Sequence, residues 1–375
     1  MIISSHCSGR NSTKVTYLLL TILLSSYTVS AQTPPNNAPL FPDYRDIISL
    51  RKTHEYGSFD PDQYDPDLDT DSWIRIVHLA PGPRDGILIT DEGLQRVDLV
   101  VPNEGIVVSF GLGKGAGPGE FRGVRYASWN GANRILVSDF TNIRVSVFTA
   151  DGEYLKELHP NIVPAILTCP TEETVWIHPG LNRETDLFLS FNIESGEQIE
   201  RYTGYFQDEK WYGKLTADPH ITSTAIGVLL SVPYPYRVLE ISPQGEVLRT
   251  IGREIDWLSE PYNESWRQNR QVLYPHDGYV VSPMRTANGY TVVQVCKRER
   301  TDRLYNGIPL RESIHYLDFF NGTGRWLCTL PVADFCSENA LHFTIATDSA
   351  LWITTSGDFH RVERYKIEWL EDIKP

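Results

Sequence analysis

The sequence predicts an all-β chain folded as six small antiparallel sheets set around one axis, and three observations lead there. From Trp73 onward, short apolar or β-branched runs are broken by Gly, Pro, Asn and Asp, with no sustained helical period. The same strand–turn–strand unit recurs six times along that stretch. A sheet of four short strands cannot bury both faces alone. A radial arrangement lets neighbouring sheets shield one another and leaves only short edges exposed. The predicted fold is therefore a six-bladed β-propeller of four-stranded blades over residues 73–375.

The N-terminus comes off first. Arg10 and Lys14 precede the apolar run "VTYLLLTILL" and the small-residue exit "TVSAQ", the layout of a secretory signal over residues 1–31 with a cut after Ala31. The run is short for a membrane span, no second candidate follows, and Cys7 lies ahead of it rather than behind it, unlike the lipoprotein arrangement. A secreted or periplasmic, cell-envelope location is expected, with no transmembrane segment after processing. Residues 32–72 are rich in Pro, Asp, Asn and Tyr and read as an acidic leader holding one plausible strand, "RDIISLRKT". A strand from residues 45–80 is expected to complete the last blade. The alternate aspartates Asp65, Asp67, Asp69 and Asp71 invite a calcium-loop reading. It fails because Thr70 and Ile76 stand where that loop needs its turn Gly and its bidentate Glu.

The 375 residues carry a formal charge of −14, which argues against nucleic acid or an anionic membrane as partner. Cys169, Cys296, Cys328 and Cys336 survive processing. They are too sparse for a disulfide scaffold, although Cys328 and Cys336, flanking "TLPVADF", could close a loop.

The repeat is clearest between "ILITDEGLQRVDLVVPNEGIVVSFG" (87–111) and "ILVSDFTNIRVSVFTADGEYLKEL" (135–158). Asp91 precedes Arg96 as Asp139 precedes Arg144, and the next turn brings Gly105 and Gly152. Further copies start at Val228, where Val232 replaces the Asp, and at Leu351, which keeps Arg361. Looser ones start at Thr174 and at Tyr290, the last with a charged insertion between its strands.

The stretch "FGLGKGAGPGEF" (110–121) raises the question of a phosphate cradle. "GLGKGA" formally fits the dinucleotide fingerprint, but Pro118, Gly119 and Phe121 follow where a helix would have to begin, and Lys114 lacks the Ser or Thr of a P-loop. The stretch instead resembles the inter-blade connection of NHL-repeat six-bladed propellers, with Gly117, Pro118, Gly119, Glu120 and Phe121 at the family's Gly-Pro-Gly-Glu-Phe. Asp139, Asn142 and Arg144 match its Asp, Asn and Arg. The likeness is to the exported bacterial kind. It departs at Val124 and Tyr126, where the family has Pro and Gly, which bears on the geometry of that blade's first strand. The resemblance implies a structural role for Asp91, Arg96, Asp139 and Arg144, tying turns to neighbouring backbone. A fixed five-residue separation would also give each buried charge a partner.

Ligands of such folds meet the face and channel reached by the innermost strands. Those strands carry His78, Arg125, His220, Arg285 and His342 near their expected entries. A divalent metal would need His78, His220 and His342 to converge, as in the propeller lactonases and lyases that this alternative resembles. No Gly-x-Ser-x-Gly elbow or His-Glu-x-x-His pair is present. Tyr234, Tyr236, Trp257 and Trp266 lie in Pro- and Asn-rich segments, where exposed rings would suit sugars or peptides. The reading is a binding platform for a protein, peptide or glycan, with no cofactor.

Overall fold

The computed structural model of the chain describes residues 38–57, 73–179, 186–203, 205, 220–231, 236–257, 278–285, 289–305, 308–336, 339–345, 350–356 and 360–370. All lie in the compact unit Thr33–Pro375. The signal segment, the alternate aspartates, Tyr234 and Trp266 lie outside the described residues, as do the side chains of Arg285 and His342. No described helix is long and apolar enough to cross a membrane.

Six four-stranded antiparallel sheets form the expected blades. The first is β2 (Ile76–Pro81), β3 (Ile87–Asp91), β4 (Arg96–Val101) and β5 (Gly105–Phe110); the second is β6 (Val124–Trp129), β7 (Arg134–Asp139), β8 (Arg144–Thr149) and β9 (Tyr154–Leu158). The third is β10 (Ile166–Thr168), β11 (Thr174–His178), β12 (Asp186–Asn192) and β13 (Gln198–Thr203). The fourth is β14 (His220–Thr224), β15 (Gly227–Ser231), β16 (Val238–Ile241) and β17 (Val247–Ile251). The fifth is β18 (Gly278–Arg285), β19 (Thr291–Tyr305), β20 (Ile308–Phe320) and β21 (Trp326–Pro331). The sixth is β22 (Asn339–Ile345), β23 (Ala350–Ser356), β24 (His360–Trp369) and, from the other end of the chain, β1 (Ile48–Tyr56). The first strands of the six blades touch one another in a closed cycle, which makes the ring.

The core follows from this arrangement. Among the described residues six apolar clusters occur, each formed between two adjacent blades. Leu99, Phe110 and Phe148 join blades 1 and 2, for example, and Ile76, Trp352 and Val362 join blades 6 and 1. Alternating apolar side chains on both faces of each blade meet those of the next, so no blade is left with an open face.

Closure uses more of the N-terminal segment than a linker would. Ile48 pairs with Trp369 and Tyr56 with Val362. Leu40 and Phe41 donate backbone hydrogen bonds to Trp326 and Leu327 of blade 5. Ile47 and Ile48 are fully buried beside Leu317 and Leu351. The Pro/Asp composition masked a packed segment whose few apolar residues fill the seam between blades 5 and 6. The charged insertion expected in blade 5 is likewise no loop, because β19 and β20 extend through it as one long hairpin.

The glycine-rich stretch is an inter-blade connection. Gly111 leaves β5 at φ +118°, and a Cβ there would meet the Phe121 ring at 2.8 Å, so only Gly fits. The Glu120 carboxylate accepts from Gly117 N at 2.7 Å. Arg144 donates to the carbonyls of Ala116, Gly117 and Glu120 and pairs with Glu157 at 2.5 Å.

Asp91 and Asp139 do tie turns to backbone. Asp139 accepts from the amides of Arg122, Gly123 and Asn142, and Asp91 from those of Ile74, Arg75, Gly93 and Leu94. Each joins the end of a second strand to the start of its first. The expected Asp–Arg partnership is looser: Arg144 Nε stands 3.8 Å from Asp139, while Arg96 Nε bonds Asp98 at 2.9 Å. Cross-strand register sets Asp91 opposite Arg96, but the Asp91 carboxylate accepts from four backbone amides, three on Oδ1 and one on Oδ2.

In blade 3 the equivalent strand end is His178. Burial pushes its imidazole from 6.5 down to about 4. The fold therefore keeps the ring neutral, and the unfolded chain takes up the proton first. Stability is expected to be full above pH ~6.5 and to fall as the pH drops toward 4, by on the order of 3 kcal/mol. H178Q should flatten that part of a denaturation-versus-pH profile; an unchanged slope would refute a buried neutral imidazole.

Candidate functional site

An axial cavity of about 500 Å3, including solvent at its mouth, runs between the first strands of all six blades. Four of these six strands are irregular. Register breaks between Ile76 and His78 in β2, Val124 and Ala127 in β6, Val281 and Pro283 in β18, and Ala340 and Phe343 in β22. Such bulges turn side chains that strict alternation would place elsewhere. In β6 the break spans the two positions, Val124 and Tyr126, where the NHL-like pattern is lost, and Tyr126 lines the cavity. Its ring lies 4.2 Å from that of His78, tilted by 40°.

His78 and His220 both line the cavity. Arg125 does not: it lies over the Phe140 ring at 5.7 Å, with Glu92 at 3.7 Å. Arg285 ends β18 rather than opening it, and His342 sits mid-strand in β22. The remaining polar lining is hydroxyl-bearing, including Ser128, Thr168, Thr222, Ser223 and Thr344, with apolar groups such as Leu167 and Met284 between them. Among the described lining residues there is no Asp, Glu, Lys or Arg. Among the described residues, no group of three His, Cys, Asp or Glu side chains is placed to hold a metal ion.

The aromatic candidates divide differently from expectation. Tyr236 is a core residue, only 5% exposed, whose hydroxyl donates to Asp318 at 2.8 Å. Burial, then the Asp318 charge, holds its phenol well above the usual range. Trp257 is half-buried beside Tyr316, with Lys297 Nζ 6.0 Å from its ring. Cys328 and Cys336 are buried free thiols in one apolar cluster, not a bridge. Cys336 Sγ faces Glu363 at 3.9 Å instead, and burial pushes the Cys328 thiol up to about 12.

A second polar pattern runs around the ring. The third strands bury Asp98, Ser146, Ser190, Glu240, Asp318 and Glu363, one per blade. Asp98 accepts from Trp73 Nε1, Arg96 and Ser109; Glu240 pairs with Arg249; Glu363 accepts from Lys52 and Tyr365. Burial pushes the Asp98 carboxyl up against the pull of these donors. The sequence does signal this layer, as a small or acidic residue between apolar neighbours in "VDL", "VSV", "LSF", "LEI" and "LDF". The cavity hydroxyls left no comparable mark, because only the assembled ring brings their strands around one axis.

Fold and site define a six-bladed β-propeller with an axial cavity whose described lining residues carry hydroxyls and include no Asp, Glu, Lys or Arg. No protein-family profile matches the chain, and no curated protein matches its sequence. Solved structures match the fold. An inferred exported protein of Bacteroides fragilis is 12% identical at a TM-score of 0.60, covering 87% of this chain and 96% of that one. A DUF4221-family member from Bacteroides vulgatus is 10% identical at 0.57, covering 86% and 99%. A Bacteroides thetaiotaomicron protein of unknown function is 12% identical at 0.51, covering 86% and 76%. At these identities the likeness is one of fold.

Proposed function

We propose that this protein is an exported, NHL-like six-bladed propeller that serves as a binding platform, holding a protein, peptide or glycan at its axial cavity without chemistry of its own. The observation that carries the reading is the lining itself. All six first strands contribute to one concave site that offers hydrogen bonds and apolar contact. Its described side chains supply no carboxylate pair for acid–base work. The N-terminal signal pattern and the name given to the B. fragilis chain of like fold support export to the periplasm or beyond. The net charge of −14 supports a partner other than nucleic acid.

A ligand that binds only the folded state raises the melting temperature by mass action. In a thermal-shift survey of peptides and oligosaccharides, the native protein is expected to respond and S223W, which fills the cavity, is not. A shift that survives S223W would place binding elsewhere.

His78 and His220 share the cavity, and this favours one rival: a lactonase-like metal-dependent hydrolase or lyase in which His342 completes a divalent site. The platform reading expects protein purified without chelator to hold no stoichiometric metal by elemental analysis. A stoichiometric ion lost on combining H220A with H342A would establish the rival.

A further inference from the structure

We infer that the axial cavity takes an uncharged, polyhydroxylated ligand, the end of a neutral saccharide, held by His78 and Tyr126 at the bulges of β2 and β6 and by His220 and Thr222 on the regular strand β14. This rests on the reading of the cavity as the binding site, and goes further by naming the ligand class.

Charge is the first argument. An anionic ligand would enter a chain of net charge −14 and meet no Lys or Arg among the described lining residues; a cationic one would meet no carboxylate. Bringing an unpaired charge out of water is costly, so either would be disfavoured.

Hydrogen-bond chemistry is the second. Ser128, Thr168, Thr222, Ser223, Thr344 and Tyr126 are all lining residues, and Ser128 Oγ already accepts from Cys169 N at 3.2 Å. Each hydroxyl both donates and accepts, and so do the hydroxyls of a sugar. Two imidazoles add further polar atoms, while the Tyr126 ring and Met284 offer apolar surface to the C–H faces of a pyranose. These groups sit on strands rather than loops, which fixes their spacing.

Backbone geometry is the third, and it disfavours a peptide. Peptides commonly dock by adding a strand to a free sheet edge, which requires a regular ladder of amides and carbonyls. The channel edges are the free edges of the first strands, and four of the six are broken by bulges near the cavity. Pro283, at one of these breaks, has no amide hydrogen to give.

Titration calorimetry of the mature chain with neutral gluco-, manno- and galacto-oligosaccharides, oligogalacturonate, amino-sugar oligomers and neutral peptides tests this. A neutral oligosaccharide is expected to bind at least tenfold more tightly than any charged sugar or peptide. T222V, which keeps the branched shape and removes only the hydroxyl, and S223A are each expected to weaken it about tenfold with an unchanged melting temperature. If the tightest ligand is charged or a peptide and still depends on Thr222 and Ser223, the saccharide inference falls and the platform stands. If nothing binds, or binding ignores T222V, S223A and H220A alike, both fall.

Discussion

Replacing Asp318 by Ala is expected to lower the unfolding free energy by about 3–5 kcal/mol, the range for removing one member of a buried charge pair. The carboxylate is fully buried, and Arg253 meets both of its oxygens, at 2.7 and 3.2 Å. Tyr236 donates at 2.8 Å and Thr329 completes the set. Arg253 and Tyr236 belong with blade 4, Asp318 and Thr329 with blade 5, so the network stitches one blade to the next. The Ala variant would leave a guanidinium lodged 4.4 Å over the Trp326 ring, without the carboxylate that balances it. D318N keeps the shape and should lose less, and Y236F, which removes one bond to a charged acceptor, about 1.5–3 kcal/mol. Urea midpoints at constant slope give the comparison. A D318A midpoint equal to that of the native protein would mean the network contributes nothing.

The second large effect is expected from the opposite end of the chain. A protein beginning at Gly57 lacks β1 and the packed segment before it, and should lose cooperative unfolding or melt more than 10 °C lower. Exposing Ile47 and Ile48 alone removes about 1.5–3 kcal/mol per side chain, and the backbone ladder with β24 goes with them. Lys52 and Glu55 also leave, and with them the ion pairs to Glu363 and Arg361. A synthetic peptide of residues 38–56 added in trans is expected to restore much of the melting temperature. Equal melting curves with and without the segment would show that the ring does not need its closing strand.

The sheets were readable because each blade repeats its own local grammar: apolar alternation, a turn, and an Asp or Gly at a fixed step. Their number follows from counting the repeats, and their radial arrangement from burial. Side-chain direction is not written in that grammar. Tyr236 stands in "VPYPYRV", a segment with every mark of a loop, yet its hydroxyl has a buried acceptor 82 residues away, so the ring became core. Arg125 and Tyr126 are neighbours, and a bulge, not the sequence alternation, decides that the tyrosine faces the axis. The buried acids of the third strands are legible as single acidic residues between apolar neighbours, a weaker signal than the repeated Asp91 and Asp139. The hydroxyls of "HITST" look like any exposed strand until six such strands are placed around one cavity.

The pairing of Ile48 with Trp369 has a kinetic consequence. As the chain is made, the first described strand, β1, emerges long before its partner β24, the last described one. Five sheets can assemble hairpin by hairpin while the circle stays open, each new one resting on its predecessor. The final contact joins the most distant parts of the polymer, so its loop-closure entropy, rather than local hairpin formation, should set the overall folding time. Until it happens, the unsealed seam between first and sixth sheets is where a protease or a second nascent chain would gain entry.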